Sequence, residues 1–455
     1  MEAAVPRLLL AGTGSGCGKT TVCCALLGAL KARGVNVGAF KCGPDYIDPM
    51  FHRRVTGEDS GTLDPFFFDA DTLKYLLARR GAGRTVNVLE GVMGCYDGLG
   101  LSTAKSSWEM AELTETPIVL VLDARGAAAS LLAELEGFIN FVPRSHIAGV
   151  IFNRCSTGMY ARLAEAVERR FAPAVRSLGF LPPLPDCQLE SRHLGLVTPE
   201  DTEALDAILD RLAAAGDNLE LSLLSVLASE APPLSFREPE LLPAGEPVRV
   251  GIARDRAFCF YYPDALDLLE AAGAELIPFS PLEDPALPPG LHGLLLGGGY
   301  PELHREALAG NRPLREEIRE ALAAGLPCVA ECGGFLYLNR TLDGKPMTGV
   351  LPGESFDAGR LTRFGYVTLR AKSGGLLLPA GGSFPAHEFH RWDCDRPGAD
   401  FLAEKPDGRR WDCGIHSPTL YAGFPHFHFC ASPEAAARFL AACRRKKHRE
   451  NGEIS

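Results

Sequence analysis

Short apolar runs of strand length recur through the first 150 residues and alternate with stretches of helix-forming residues. The hydrophobicity of each run is continuous rather than alternating, which indicates strands that are buried on both faces of a sheet. Between the runs, residues 72–80 and 130–138 favour helices. This alternation predicts a parallel sheet covered by helices. The predicted strands are residues 8–11, 35–40, 86–89, 118–122 and 147–152.

The character of the chain changes near residue 229, where five prolines fall between residues 229 and 247. A second alternating series follows, with helices predicted at 262–272 and 313–324. Its predicted strands are 248–253, 276–279, 294–296 and 328–330. We therefore predict an α/β fold with two domains, each a mostly parallel sheet covered by helices. The expected segments are an N-terminal domain at 1–228, a Pro-rich linker at 229–247, a C-terminal domain at 248–443 and a polar tail at 444–455.

The composition of the 455-residue chain argues against several classes of protein. No apolar run approaches the ~20 residues that a membrane span needs, and the first residues do not resemble a signal peptide. A formal net charge of −11 disfavours a nucleic-acid surface. The fourteen cysteines are scattered, without the two-residue spacing of zinc or redox motifs. We expect a cytoplasmic protein with reduced thiols and with neither nucleic acid nor membrane as a partner.

A glycine-rich stretch, GTGSGCGKTT, follows the first predicted strand and precedes an apolar stretch of helix formers. A strand, a turn and a helix N-terminus bring backbone NH groups and the positive end of the helix dipole to one spot, which favours phosphate. Lys19 would reach the terminal phosphates, and Thr20 would ligate the Mg²⁺ that accompanies a nucleotide. Thr13 stands where a strict P-loop has its first glycine, so we predict a longer variant that binds a nucleoside triphosphate. The predicted loop residues are Gly12, Thr13, Gly14, Ser15, Gly16, Gly18, Lys19, Thr20 and Thr21.

Charged residues follow the next two predicted strands, within the segments KCGPDYIDP and EGVMGCYDG. Because the carboxyl ends of parallel strands meet at one edge of a sheet, these residues should lie beside the phosphate loop. Carboxylates there suit a hard divalent cation, so Asp45 and Glu90 are predicted to complete a magnesium shell with Thr20. Lys41 would neutralise charge that develops during group transfer. For Asp48 a turn or cap role is as open as a functional one.

The C-terminal half carries a different kind of site, in the segment PCVAECGGFLYL. Cys332 falls between a buried strand and an apolar helix, on a sharp turn at a helix N-terminus that favours a reactive thiolate. The NH groups of Gly333 and of the glycine-rich segment GLLLGGGYPE, which contains Gly298 and Gly299, would stabilise an oxyanion. These features predict a cysteine-dependent hydrolase.

A nucleophilic cysteine requires a base, and the segment HFHF near the end of the chain supplies two candidates. His426 and His428 are two residues apart, so on a single strand they would share a face. The preceding Pro425 cannot donate a hydrogen bond to a sheet, so we expect this strand to lie at an edge or to bulge.

Over residues 7–443 the chain resembles the cobyrinate a,c-diamide synthase family. The N-terminal half is similar to dethiobiotin synthetase and its relatives, through the lengthened phosphate loop and the segments KCGPDYIDP and EGVMGCYDG. The C-terminal half is similar to triad-type glutamine amidotransferases of the cobyric acid synthase subgroup, through GGGYPE, AECGGFLYL and HFHF. The resemblance implies a P-loop NTPase-like N-terminal domain and a class I glutamine amidotransferase-like C-terminal domain.

The same resemblance implies an activity, which is ATP-dependent amidation of the a and c acetate carboxylates of cobyrinate in cobalamin synthesis. L-glutamine or ammonia would supply the nitrogen, and Mg²⁺ would accompany ATP. Cys332 is then the nucleophile and His426 the preferred base, with His428 kept as the alternative. Members of this class usually carry a glutamate two residues after the histidine, where this chain has His428, so the third member of the triad stays open. A homodimer is a further expectation.

Other contacts follow from the resemblance alone. Asn153 and Arg154, at the end of the fifth predicted strand, are expected to contact the nucleotide base, although a structural role remains open. Substrate contacts are expected at Asp48, Asp97, Arg192, His193 and Arg363, with Arg360, His387 and His390 as further basic candidates, although a structural role is equally open for each Arg and His.

Three alternatives remain open. The same chemistry would serve another tetrapyrrole, hydrogenobyrinate or nickel sirohydrochlorin. Carboxylation of a diamine, as in dethiobiotin synthetase, would leave the cysteine half without a use. The third is a partner-regulated P-loop ATPase that is fused to an inactive amidase-like module.

Overall fold

The structure is a computed structural model that describes residues 1–187, 189, 191–192, 195–196, 198–199, 202, 204–240 and 242–452. It divides into two compact units, Met1–Pro239 and Glu240–Ser455. Both units have the predicted α/β architecture. No helix within the described ranges is long and apolar enough to cross a membrane.

The first unit is built on a seven-stranded parallel sheet with the strand order β4-β3-β5-β2-β6-β7-β8. Its central strands are buried along their whole length, as the continuous hydrophobic runs predicted. The strands of this unit are β1 (Glu2–Ala3), β2 (Arg7–Gly12), β3 (Val37–Cys42), β4 (Gly61–Leu63), β5 (Val86–Glu90), β6 (Ile118–Asp123), β7 (Ile147–Asn153), β8 (Arg176–Phe180), β9 (Ser191–Arg192), β10 (Gly195–Leu196) and β11 (Leu234–Ser235).

Eight α-helices accompany this sheet within the described part of the unit. Several begin at a side-chain cap; for example, Asp69 and Ser156 accept a hydrogen bond from the backbone NH three residues later. The helices α1 (Lys19–Ala32) and α7 (Leu205–Ala215) lie close together, as a Cβ added to Gly28 would lie only 2.8 Å from the Cβ of Ala213. The helices are α1 (Lys19–Ala32), α2 (Ile47–Thr56), α3 (Ala70–Gly81), α4 (Ser107–Thr114), α5 (Ala129–Asn140), α6 (Thr157–Phe171), α7 (Leu205–Ala215) and α8 (Leu221–Ser229).

The second unit has a six-stranded main sheet with the order β13-β12-β14-β15-β25-β24, in which only β24 runs antiparallel to its neighbour. Its helices are α9 (Pro263–Ala271), α10 (Arg305–Gly310), α11 (Arg312–Ala323), α12 (Gly333–Leu338) and α13 (Pro433–Glu450). Its strands are β12 (Val248–Ala253), β13 (Ala274–Phe279), β14 (Gly293–Leu296), β15 (Cys328–Glu331), β16 (Thr341–Leu342), β17 (Lys345–Pro346), β18 (Glu354–Asp357), β19 (Arg363–Ala371), β20 (Ser383–His390), β21 (Trp392–Cys394), β22 (Phe401–Glu404), β23 (Arg410–Cys413), β24 (Ile415–His416), β25 (Leu420–Gly423) and β26 (His426–Phe427).

Two further sheets in this unit were not predicted, and they qualify the expectation of a mostly parallel domain. A five-stranded antiparallel sheet has the order β23-β22-β19-β20-β26, and a four-stranded sheet has the order β17-β16-β18-β21. The pair β19–β20 is the longest, from Arg363 opposite His390 to Arg370 opposite Ser383. Strand β26 lies at the edge of its sheet, which confirms the position expected from the proline before it.

The structure differs from the expected linker and tail. The division between the units falls inside the expected linker, but β11 within that segment pairs with β1. The expected polar tail begins inside α13, which runs on to Glu450. Its basic residues hold the helix in place, because Arg444 donates to the carbonyl oxygens of Glu246 and Ala272, and Lys447 donates to that of Pro247.

Candidate functional site

The phosphate loop predicted from the sequence lies between β2 and α1, at the carboxyl edge of the first sheet. Gly18, the residue before α1, has φ 94°, and a Cβ there would lie 2.1 Å from Nδ2 of Asn153. A side chain at Gly12 would meet the sulfur of Cys17 at 2.3 Å. Gly18 therefore requires glycine, and the missing side chain at Gly12 leaves room for Cys17, so the loop can curl closely at the N-terminus of a 14-residue helix.

Lys19, the first residue of α1, reaches across this loop. Its Nζ donates to the carbonyl oxygen of Gly14 at 3.4 Å and also to that of Met93. Burial lowers the pKa of Lys19 from its ordinary value, and the neighbouring Lys41 adds to this. An anion bound in the loop would therefore replace these two carbonyl oxygens as the hydrogen-bond partner of the Lys19 ammonium group.

Behind the loop, a hydroxyl, two carboxylates and an ammonium group form one hydrogen-bonded cluster. Thr20 Oγ1 donates to Glu90 Oε1 at 2.6 Å, and the same oxygen lies 3.3 Å from Asp48 Oδ1. The Nζ atom of Lys41 lies 2.6 Å from Asp48 Oδ2 and 3.2 Å from Glu90 Oε1. The side chain of Lys41 is only 3% exposed, so this is a buried charge cluster that is largely compensated internally.

The cluster sets the protonation of its members. Burial alone would raise the pKa of Glu90, but the Lys41 ammonium and the hydrogen bond with His52 hold it below its ordinary value. Burial raises the pKa of Asp48, and the carboxylates of Asp45 and Glu90 raise it further. For Lys41 the attraction of these carboxylates outweighs burial, so its pKa lies well above the ordinary value.

The structure places Asp48, rather than Asp45, in hydrogen-bond contact with Thr20. Asp45 Oδ1 accepts from the backbone NH groups of Ile47 and Asp48, at 2.8 and 3.1 Å, and so fixes the turn that begins α2. Thr20, Asp48 and Glu90 therefore offer only oxygen atoms to a cation, which is the donor set that Mg²⁺ prefers. The residues present fit the metal that accompanies ATP.

His52 in α2 belongs to the same cluster and was not singled out from the sequence. Its Nε2 lies 2.6 Å from Glu90 Oε2, and its Nδ1 lies 3.0 Å from the hydroxyl of Ser60. Both His52 and Glu90 are fully buried. No helix was predicted over this segment, so the sequence analysis had no reason to place His52, four residues after Asp48, on the same face as that aspartate.

Asn153 and Arg154 also touch the phosphate loop, but through its backbone. Asn153 Nδ2 donates to the carbonyl oxygen of Cys17 at 2.8 Å, and Arg154 Nη2 donates to that of Gly16 at 3.1 Å. Arg154 further pairs with Asp123 at 2.6 Å. These contacts hold the loop against the end of β7, so the described bonds are structural ones.

In the second unit, Cys332 lies on the turn between β15 and α12, as its sequence context predicted. Its φ of 46° is in the left-handed region, and its backbone NH donates to the carbonyl oxygen of Gly423 at 2.7 Å. A Cβ added to Gly333 would lie 3.1 Å from the amide nitrogen of Gly299. The turn after the cysteine and the segment after β14 thus bring two predicted oxyanion donors together.

His426 is the histidine that the structure pairs with Cys332. Burial alone would lower the pKa of His426, but a hydrogen bond and charge interaction with Cys332, together with the carboxylate of Glu331, raise it to about 10. The Nδ1 atom of His426 lies 3.5 Å from Glu331 Oε2. A cysteine, a histidine and a carboxylate therefore meet at the end of β15.

The expectation that one strand carries both His426 and His428 is only partly met, because His428 keeps an extended backbone but lies beyond the end of β26. Strand β26 ends at Phe427, and His428 precedes a 3₁₀ turn, where its Nδ1 accepts from the backbone NH of Cys430 at 3.1 Å. Its fully buried ring stacks on Tyr262 with a centroid distance of 4.7 Å. These contacts favour His426 as the base and give His428 a packing role.

Comparison with known proteins agrees with this pair of sites. Residues 8–197 match the model of the CobQ/CobB/MinD/ParA nucleotide binding domain, and residues 249–433 match that of the CobB/CobQ-like glutamine amidotransferase domain. The cobyrinate a,c-diamide synthase of Synechococcus sp. is 39% identical over 451 residues, which cover 96% of this chain and 98% of that protein. The chain belongs to the cobyrinate a,c-diamide synthase family.

Other family members match equally broadly. Cobyrinate a,c-diamide synthase of Caldanaerobacter subterraneus is 38% identical, with 96% of this chain and 98% of that protein covered. The Salmonella typhimurium protein of the same name is 38% identical, with 98% and 100% covered. This family uses a nucleotide cosubstrate, in agreement with the phosphate loop described above.

Residues that the family resemblance assigned to substrate binding occur in both units. Asp97 accepts from the backbone NH of Gly94 at 2.9 Å, close to the phosphate loop. The guanidinium of Arg363 lies 4.7 Å above the ring of Trp411, on an exposed part of β19. His193 lies outside the described residues, and only the backbone of Arg192, in β9, is described.

The histidines of the HEFH segment were expected at a substrate surface, but both are buried. His387 lies directly opposite His426, in the neighbouring strand. His390 stacks on Phe424 with ring centroids 3.9 Å apart. Burial lowers the pKa of His387 to about 3 and that of His390 to about 4, so both are neutral near pH 7.

Proposed function

We propose that this family member uses ATP and glutamine to amidate the a and c acetate carboxylates of cobyrinate. The near-full-length similarity to relatives named cobyrinate a,c-diamide synthase carries the choice of substrate and reaction. The buried cluster at the phosphate loop and the contact between Cys332 and His426 supply the two chemistries that such a reaction requires.

The glutaminase half-reaction is assigned to the second unit. Cys332 attacks the side-chain amide carbon of glutamine, and the NH groups of Gly299 and Gly333, with Gly298 beside them, stabilise the oxyanion. His426 carries the thiol proton to the departing nitrogen, so ammonia leaves and a thioester remains. Water then cleaves the thioester, which releases glutamate and restores the thiol.

The activation half-reaction is assigned to the first unit. A carboxylate at neutral pH is a poor electrophile, and transfer of a phosphoryl group from ATP gives it a leaving group. Ammonia attacks the acyl phosphate, so that an amide and inorganic phosphate are formed. Lys19 binds the phosphates, and Lys41 balances negative charge during the transfer. Mg²⁺ would be held by Thr20, Asp48 and Glu90, with Asp45 fixing the turn before Asp48, and would neutralise charge on the phosphate oxygens.

The decisive experiment follows nitrogen into the product. We expect the enzyme, given cobyrinate, ATP and glutamine labelled with heavy nitrogen in its side-chain amide, to produce a diamide that carries two labelled atoms, detected by mass spectrometry. Parallel reactions with hydrogenobyrinate and with nickel sirohydrochlorin test the alternative substrates. Consumption of ATP and glutamine without any labelled tetrapyrrole would refute the proposal.

A matched variant separates the two half-reactions. Cys332→Ala should abolish use of glutamine and leave amidation with free ammonia unchanged, because the thiol acts only in releasing nitrogen. Cys259→Ala, at another partly buried cysteine, is the control and should retain both activities. Equal loss with both nitrogen donors in Cys332→Ala would contradict the assignment. ATP hydrolysis that ignores glutamine and needs a protein partner would instead favour the ATPase alternative.

Location and assembly belong to this proposal as well. A cytoplasmic enzyme and a homodimer are the expectations from the sequence. Light scattering on the purified enzyme measures its mass in solution, and a monomer at micromolar concentration would contradict the dimer.

A further inference from the structure

The sequence left open which group orients the imidazole of the base, His426. In triad-type sites a carboxylate holds one imidazole nitrogen so that the other faces the nucleophile. The usual position for it, two residues after His426, holds His428, whose ring stacks on Tyr262 and whose Nδ1 serves the backbone of Cys430. A carboxylate for His426 must therefore come from another element.

Glu331, the last residue of β15, brings a carboxylate to this histidine. Its Oε2 lies 3.5 Å from Nδ1 of His426. Its other oxygen, Oε1, accepts a hydrogen bond of 3.2 Å from the backbone NH of Phe427, the residue that follows His426. One carboxylate thus contacts both the imidazole and the strand that carries it, and this fixes the ring relative to its own backbone.

We propose that Glu331 is the positioning residue of the glutaminase site and completes a Cys332–His426–Glu331 triad. The inference rests on the glutaminase reaction proposed above. Because Nδ1 is the nitrogen next to Glu331, Nε2 is the one available to the sulfur of Cys332. Nδ1 keeps its proton throughout, while Nε2 accepts the thiol proton and passes it to ammonia.

The backbone explains how two successive residues can serve one imidazole. In a regular strand, neighbouring side chains point to opposite faces of the sheet. Cys332, with φ 46°, leaves the strand at this point, so that the alternation is broken directly after Glu331. Glu331 lies opposite Gly423 in β25, where no side chain intervenes. The sharp turn thus positions both the nucleophile and the orienting carboxylate.

Other groups near His426 do not replace this carboxylate. His387 and His390 are neutral near pH 7 because burial lowers their pKa values. Burial raises the pKa of Glu388 to about 7, so its negative charge is only partly developed. The titratable groups whose charges interact with the imidazole are Glu331 and Cys332, at and just after the end of β15, and His387, Glu388 and His390 on β20.

Glu331→Gln tests the proposal because it keeps the size of the side chain and removes its charge. We expect the kcat of glutamine hydrolysis to fall about 10²–10⁴-fold with little change in KM for glutamine. Amidation with free ammonia should be unchanged. The alkaline limb of the kcat–pH profile should move to lower pH, because the imidazolium loses the charge that stabilises it. Glu331→Asp should recover part of kcat and the original limb.

Controls separate the possible failures. Glu320→Gln, at an exposed position of α11, should behave like the unaltered enzyme. A Glu331→Gln variant with unchanged glutaminase kcat and pH profile would overturn the inference alone. Loss of both the glutamine- and the ammonia-dependent activities in Glu331→Gln, or a Glu331→Asp variant with no recovery, would also overturn it. If the unaltered enzyme releases no glutamate from glutamine, it is the proposed function that fails.

Discussion

Glu388 offers a quantitative test of the electrostatics of the second unit. The residue lies on β20, is 2% exposed and faces Gly365 across the strand pair. Among the described residues its Oε2 has no hydrogen-bond partner. Burial raises the pKa of Glu388 from 4.5 to about 7, because the nearby charges of Arg363, Lys405 and His426 only partly offset the loss of solvent.

This shift converts into a dependence of stability on pH. Below about pH 4.5 both the folded and the unfolded chain hold the proton, so Glu388 has no effect there. Between about pH 4.5 and 7 the unfolded chain loses its proton first, and stability falls as the pH rises. At ~1.4 kcal/mol per unit, the loss above pH 7 reaches about 3 kcal/mol.

Glu388→Gln removes the titration and keeps the shape of the side chain. We expect the variant to match the unaltered enzyme near pH 4.5 and to melt at higher temperature at pH 8, by up to roughly 6–12 °C for a unit of this size. Glu240→Gln, at an exposed position, is the control for the change in net charge.

The measurement is a series of calorimetric melting curves between pH 4.5 and pH 8. Other groups in the unit titrate over the same range, so the informative quantity is the difference between the variant and the unaltered enzyme at each pH. A difference that stays constant from pH 5 to 8 would refute the reasoning, because it would show that Glu388 titrates alike in the folded and unfolded chains.

Two further substitutions test the two sites. Lys41→Met leaves the buried carboxylates of Asp48 and Glu90 without their cation, so we expect the free energy of unfolding to fall by about 3–5 kcal/mol, measured by denaturant titration. Gly298→Ala would place a methyl group 2.5 Å from Cε1 of His426, so glutaminase kcat should fall about 100-fold while ammonia-dependent amidation persists.

Each of these substitutions has a matched control. Lys31→Met removes an exposed lysine and should change stability little. Gly310→Ala adds a methyl group where nothing lies within 4 Å, so it should leave glutaminase unchanged. A Lys41→Met variant as stable as its control, or a Gly298→Ala variant with full glutaminase activity, would contradict the corresponding part of the argument.

The sequence predicted most strands of the two parallel sheets, though not β4, β8 or β25, because buried parallel strands have a strong local signal. The predicted strand at 248–253 coincides with β12, and the other apolar runs match their strands to within two residues at each end. The antiparallel sheets escaped prediction. The pairing of β19 with β22 and of β20 with β26 joins segments that are distant in the sequence, so no local pattern encodes it. The turn Asp343–Gly344 between β16 and β17 was a local hairpin signal that the prediction did not use.

The candidate sites were predictable where the backbone itself carries the chemistry. Glycine spacing located the phosphate loop and the cysteine turn, since these geometries require particular residues. Asp45 was predicted beside Thr20, but Asp48 lies there. This was not predictable, because a shift of three residues at the start of α2 decides which carboxylate faces Thr20. Glu331 was missed because in a regular strand its side chain would point to the opposite face from that of Cys332, and so away from the imidazole of His426.

The left-handed backbone at Cys332 serves the chemistry of the enzyme but lowers the stability of its fold. A non-glycine residue held there costs of the order of 1–3 kcal/mol, and glycine would remove that cost together with the nucleophile. A library screened for heat resistance alone should therefore accumulate glycine at this codon. In gene copies whose product no longer has to use glutamine, the same substitution to glycine would stabilise the protein without loss of function.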